Sequence, residues 1–154
     1  MIQIIDNFLN DDVNKKLESE LIHSNFPWYC MNNVTSDDFK NFAFFHQFVD
    51  DSKVNSNSYD SLVMPVINEI VDKKLIDTNY VCKRIKANLY TNQGKQIKHN
   101  FHIDTKQNHI VALYSINENN GYTELETGEK IKSKKNRLAI FDGLIKHRSV
   151  SQTN

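Results

Sequence analysis

The stretch His99-Asn100-Phe101-His102-Ile103-Asp104 sets an imidazole and a carboxylate one residue apart. Side chains alternate between the two faces of an extended strand, so His102 and Asp104 share one face. A third donor must come from elsewhere. His147, isolated in a β-like segment over 145–150 behind the turn Asp142-Gly143, can supply it from a second strand. Two imidazoles and one carboxylate on one side of a metal form the donor set of a mononuclear non-heme Fe(II) site. His-x-Asp arises often by chance, so its weight depends on what surrounds it. His23 reads as a helix-end residue, His46 as part of an aromatic strand, and His99 and His109 as residues flanking the site. His99 is the main competitor as a ligand. Its three-residue offset from His102 suits a helix and not a strand.

Length and charge narrow the setting. A chain of 154 residues is expected to form one domain, burying about two-thirds of its unfolded surface without disulfides. The formal net charge is +0, which removes any global attraction to nucleic acid or to an anionic membrane and leaves only local contacts. The one basic cluster, Lys130-Ile131-Lys132-Ser133-Lys134-Lys135-Asn136-Arg137, is expected as a solvated hairpin tip. Its functional reading is contact with an acidic protein or a nucleic-acid substrate at the rim. The first ten residues carry no basic n-region, and no apolar run is long enough to span a bilayer. A cytoplasmic location with no membrane partner is therefore expected. Cys30 and Cys82 show no CxxC spacing and are expected to be buried as small apolar residues.

Along the chain, residues 2–5 read as a short strand. Asn10 or Asp11 can cap a helix whose stripe is Val13, Leu17 and Leu21. Residues 42–49 read as an aromatic strand. From Tyr59 the apolar spacing of Leu62, Val63, Val66, Ile67, Ile70 and Val71 predicts the main helix, which Pro65 must either kink or begin. Beyond Asp77, β-rich runs at 80–90, 108–116, 122–126 and 137–142 alternate with turn-like segments. Two helices followed by many short strands predict an α+β domain whose second half is a sandwich or barrel.

The 80–90 strand separates into two faces. Ile85, Ala87 and Leu89 lie on one, and Arg84, Lys86, Asn88 and Tyr90 on the other. The polar face suits a small anionic ligand if it turns inward, and water if it does not.

The ordered blocks Arg84-Ile85-Lys86-Ala87-Asn88-Leu89-Tyr90, His102-Ile103-Asp104, Ala112-Leu113-Tyr114-Ser115-Ile116-Asn117, Gly121-Tyr122-Thr123-Glu124-Leu125, Asn136-Arg137-Leu138-Ala139-Ile140-Phe141-Asp142 and His147-Arg148 resemble the Fe(II)/2-oxoglutarate-dependent dioxygenases. The resemblance is to the prolyl-4-hydroxylase-like group, short phage-encoded members included. It covers roughly 80–154, and more loosely residues 2–9 and 26–29. What it implies is a double-stranded β-helix, a jelly-roll core, with N-terminal helices packed on one sheet. The chain would then be a single dioxygenase domain over 1–154, with helical support over about 1–78 and a catalytic jelly roll over about 79–154. His102, Asp104 and His147 would be the iron ligands and the catalytic residues. Fe(II), 2-oxoglutarate and O2 would take part, with release of succinate and CO2. Tyr90 would hydrogen-bond 2-oxoglutarate, and Asn88 and Tyr114 would line its pocket.

One feature departs from that group, which carries an Arg or Lys about ten residues past the distal histidine to pair with the far carboxylate of 2-oxoglutarate. Arg148 is too close, and on a strand it points away from the face of His147. The expectation is that the last core strand lies beyond Asn154, with Arg84 or Lys86 the alternative cation. Three functions follow from the resemblance: a hydroxylase acting on a protein side chain or small molecule, a nucleic-acid demethylase of the same superfamily, and a non-catalytic metal-binding jelly roll acting through interaction.

Overall fold

The computed structural model describes residues 2–35, 41–77 and 79–154. Its elements mix helix and strand, with the strands mostly in antiparallel sheets, as the α+β expectation requires. By contact the chain divides into two units, one of Met1–Phe8, Met31–Ala43 and Tyr90–Asn154, the other of Leu9–Cys30 and Phe44–Leu89. Among the described residues no helix is long and apolar enough to cross a membrane.

The first unit holds two three-stranded sheets. In one, β9 (Arg137–Asp142) lies between β1 (Gln3–Asp6) and β6 (Ile110–Ser115). In the other, β7 (Tyr122–Leu125) lies between β10 (His147–Val150) and β8 (Lys130–Lys132). Ala139 and Phe141 of the first sheet share one buried cluster with Leu125 and Ile131 of the second. Val111, Leu113 and Ile145 pack against it, so the two sheets face each other across that layer.

The basic cluster differs from the expected solvated tip. Lys130–Lys132 is strand β8, with Ile131 buried and both lysines exposed. Lys134 and Arg137 converge on Asp6 of β1, at 2.8 Å from Lys134 Nζ and at 2.6 and 3.0 Å from Arg137 Nε and Nη2. Those hydrogen bonds, Arg137 first and Lys134 second, hold the Asp6 carboxyl well below the usual carboxylate range. Between the two basic residues, Asn136 turns the chain at φ +57°. Its carbonyl accepts the Phe8 amide at 3.0 Å.

In the second unit, α1 (Asp11–Leu21) starts at Asn10, whose Oδ1 accepts the Asp12 amide at 2.9 Å. Leu17 and Leu21 are buried as the stripe requires, and Asn14 is buried with them. The long helix expected from Tyr59 is split into a π-helical turn over Tyr59–Val63 and α2 (Met64–Asp72), with Pro65 in its first turn. That placement removes no helical hydrogen bond, because the first amides of a helix have none to make. A sheet runs β2 (Tyr29–Met31), β3 (Ala43–Asp50), β4 (Lys53–Val54), with β5 (Ile85–Leu89) paired to β3. The two cysteines are both exposed, contrary to expectation. Cys30 lies on β2 at the end of the sheet order, and Cys82 lies in irregular chain ahead of β5.

His46 of β3 is buried and bonded at both nitrogens. Its Nδ1 lies 2.8 Å from the Pro27 carbonyl and its Nε2 2.7 Å from Ser56 Oγ. A carbonyl can only accept, so Nδ1 carries the proton and Ser56 donates to Nε2. The ring also meets those of Phe26 and Phe48, each at 4.6 Å between centroids.

Replacing His46 by Ala removes both hydrogen bonds and leaves a void, and should lower unfolding free energy by about 2–4 kcal/mol in urea titrations. For Asp6, a pKa depressed in the folded state means stability that is present above the unfolded value of about 4 and lost as pH falls below it. Asp6→Asn should therefore cost about 1 kcal/mol at pH 7, discounted for its partial exposure, and flatten the loss of stability between about pH 5 and pH 2.

Candidate metal centre

Segment 97–102 runs antiparallel to β10 without forming a regular strand. Lys98 faces Val150 and His102 faces His147, so the first side spans 102 − 98 = 4 steps against 150 − 147 = 3 on the second. The extra residue is a bulge, which turns later side chains to the other face. Its effect is visible on both sides. His99 is buried at 2% exposure with its ring 5.6 Å from that of Tyr90. Phe101 stays outside beneath the Arg148 guanidinium, 4.2 Å from its ring centroid. His102 is inside again, its ring 4.6 Å from that of His147. Two histidines three residues apart thus face inward from extended chain, a placement that simple alternation forbids.

The pairing of His102 and His147 is reciprocal. The His102 amide donates to the His147 carbonyl at 3.0 Å, and the His147 amide to the His102 carbonyl at 2.9 Å. His102 Nδ1 faces the Asn100 carbonyl and His147 Nδ1 the Ile145 carbonyl, both at 3.3 Å. Each contact puts the ring proton on Nδ1 and leaves the Nε2 lone pair free. Both lone pairs meet one carboxylate: His102 Nε2 is 3.8 Å from Asp104 Oδ1, and His147 Nε2 is 4.0 Å from Oδ2. One donor atom from each of the three residues lies within 4.8 Å of the others. The spacing and the N,N,O chemistry fit a divalent transition metal such as Fe(II).

His147 is buried in the inter-sheet layer. It pairs with Leu125 and meets Phe141 edge to face at 5.4 Å. Burial lowers its pKa, the Ile145 carbonyl opposes the shift, and His102 adds to it. A neutral imidazole is the form a metal binds.

The turn into β10 has its own lock. Gly143 donates its amide to the His109 carbonyl at 2.9 Å, and a Cβ at Gly143 would lie 2.1 Å from His109 Nε2. The His109 ring therefore lies on the glycine backbone, with Nδ1 2.8 Å from the Gln107 carbonyl. Sequence reading took His109 and Gly143 separately, as a flanking histidine and a turn residue; nothing in either position signalled the contact.

The remaining candidates are dispersed. Tyr90 belongs to the triad's unit, and its hydroxyl meets the Ser149 side chain. Tyr114 sits on the face of β6 opposite Val111 and Leu113 and donates to Asn136 Oδ1 at 2.8 Å. The structure does not bring it to the triad. Arg84, Lys86 and Asn88 are exposed and belong to the other unit, the last two on β5. Arg148 is bound to Glu124, at 2.7 Å through Nε and 2.6 Å through Nη2, on the side away from His147.

No family model and no curated protein matches the sequence. The fold resembles that of a prolyl hydroxylase. A structure of the prolyl hydroxylase of Trichoplax adhaerens, in complex with a peptide fragment of the hypoxia inducible factor oxygen degradation domain, matches over 98% of this chain and 77% of that chain with a TM-score of 0.66. At 15% identity the likeness is one of architecture.

Deleting Asn100 removes the bulge residue and should turn His102 outward, weakening Mn(II) binding, read by electron paramagnetic resonance, by roughly 100-fold or more. Gly143→Ala must displace the His109 ring or the turn, and should weaken it about 10-fold, as loss of a supporting contact does. Unchanged affinity in the deletion variant would contradict the role given to the bulge.

Proposed function

We propose that this chain is an Fe(II)- and 2-oxoglutarate-dependent oxygenase that hydroxylates a protein or peptide side chain. The observation that carries this reading is the convergence of two Nε2 lone pairs and one carboxylate, each imidazole turned by a carbonyl on its Nδ1. Iron held there supplies O2 activation coupled to decarboxylation of 2-oxoglutarate to succinate and CO2.

The chain's own residues do the rest. His102, Asp104 and His147 approach from one side, which leaves the opposite side for co-substrate and O2. Tyr90 is the donor assigned to 2-oxoglutarate. Burial raises its pKa, so the phenol stays protonated at neutral pH and can donate. Phe141 and Leu125 close the inner side of His147 with apolar surface, which excludes water there. The peptide held by the Trichoplax enzyme supports a polypeptide substrate. The basic cluster speaks less for nucleic acid than its composition did, since Lys134 and Arg137 are committed to Asp6.

Under anaerobic conditions, Fe(II) and 2-oxoglutarate added together should produce a visible charge-transfer band that His102→Ala abolishes. In air the same mixture should release succinate, and His102→Ala should lower that rate at least about 100-fold. Peptides that gain one oxygen atom by mass would identify the substrate. An iron-loaded chain giving neither band nor succinate would refute the proposal.

A further inference from the structure

Strand β10 carries a second polar side chain on its inward face. Ser149 lies two residues from His147 and so shares its side of the strand, and its register partner is Thr123, two residues before the core residue Leu125. Nothing in the packing of an apolar inter-sheet layer asks for serine there. A β-branched apolar residue suits a half-buried strand better, and a hydroxyl taken from water costs stability unless it is hydrogen-bonded.

The hydroxyl is used. Ser149 meets the Tyr90 phenol, and its carbonyl accepts the His99 amide at 3.1 Å. Tyr90 is thereby held at three points. Its ring lies against that of His99, its carbonyl takes the side-chain amide of Gln152, and its oxygen meets Ser149. Ser149 pulls the phenol's pKa down while burial, the larger effect, pushes it up. A neighbour that favours the ionised phenol is one that donates to its oxygen. With Ser149 donating, the phenol's own hydrogen is left for another acceptor, and a hydroxyl that accepts one hydrogen bond donates a stronger one.

We propose that Ser149 is a positioning residue that aims the Tyr90 phenol, as a donor, at a carboxylate of the co-substrate bound beside His102, Asp104 and His147. The inference rests on the oxygenase reading and on the part given there to Tyr90. It adds that strand β10 sets two things at once, the distal metal donor at His147 and the direction of the co-substrate's hydrogen bond at Ser149.

The test uses the whole chain loaded anaerobically with Fe(II), and reads 2-oxoglutarate affinity from the charge-transfer band and iron affinity separately. Ser149→Ala and the bulkier Ser149→Val should each raise the Kd for 2-oxoglutarate about 5- to 20-fold with Fe(II) affinity unchanged, the effect of losing one hydrogen bond. Ser149→Thr, which keeps the hydroxyl, should restore affinity to within about twofold, because the donor to the phenol is retained. In a Tyr90→Phe background, Ser149→Ala should have no further effect, since the group it acts through is gone. Equal losses in both backgrounds, an unchanged Kd, or a loss that follows iron affinity would each overturn the proposal. A wild-type chain that binds Fe(II) but no 2-oxoglutarate would instead sink the oxygenase reading beneath it.

Discussion

The reciprocal backbone pairing of His102 with His147 is the constraint from which the rest of the site follows. Two amide-to-carbonyl hydrogen bonds, at 3.0 and 2.9 Å, bring two strand segments far apart in sequence to one point. Each histidine carries its Nε2 to the same side, and Asp104 lies just past the first of them. Three metal donors on flexible side chains would lose much rotamer freedom on ordering. Here the Asn100 and Ile145 carbonyls fix the two rings before any metal arrives.

What maintains that pairing is the inter-sheet core and its connections. Leu125 and Phe141 are both almost fully buried and hold His147 from two directions. The lead-in to β10 is clamped by Gly143 against His109, and the far end of β10 by Ser151, whose amide and side chain both bond Ile97. At the other side of the same sandwich, Asp6 ties β1 to Lys134 and Arg137. The charges of the basic segment therefore serve the fold, which agrees with a chain whose formal net charge is +0.

Much of this was legible in the sequence because it rests on local periodicity. The Asn10 cap, the Leu17 and Leu21 stripe, Pro65 at a helix start and the strands β6, β7 and β9 all follow from spacing that a short window contains. The fold class follows too, and the prolyl hydroxylase architecture agrees with the resemblance carried by the strand blocks. What escaped was set by long-range contact. Strand β8 hid inside a charge run because only Ile131 faces the core. The exposure of Cys30 and Cys82 depends on their lying at a sheet margin and in irregular chain. The inward turn of His99 depends on a bulge that no residue type announces, and strict alternation argues against it. Tyr114 looks like a pocket residue on its strand, yet its hydroxyl is taken by Asn136, twenty-two positions away.

The central claim is that His102, Asp104 and His147 hold a single iron with two imidazoles and one carboxylate. X-ray absorption at the iron edge of the anaerobic Fe(II)-loaded chain tests it most directly, because imidazole rings give a multiple-scattering signature that water and carboxylate lack. The account predicts two imidazoles per iron, falling to one in either His102→Ala or His147→Ala. An iron shell made only of oxygen donors, or one that keeps both imidazoles after either substitution, would contradict it.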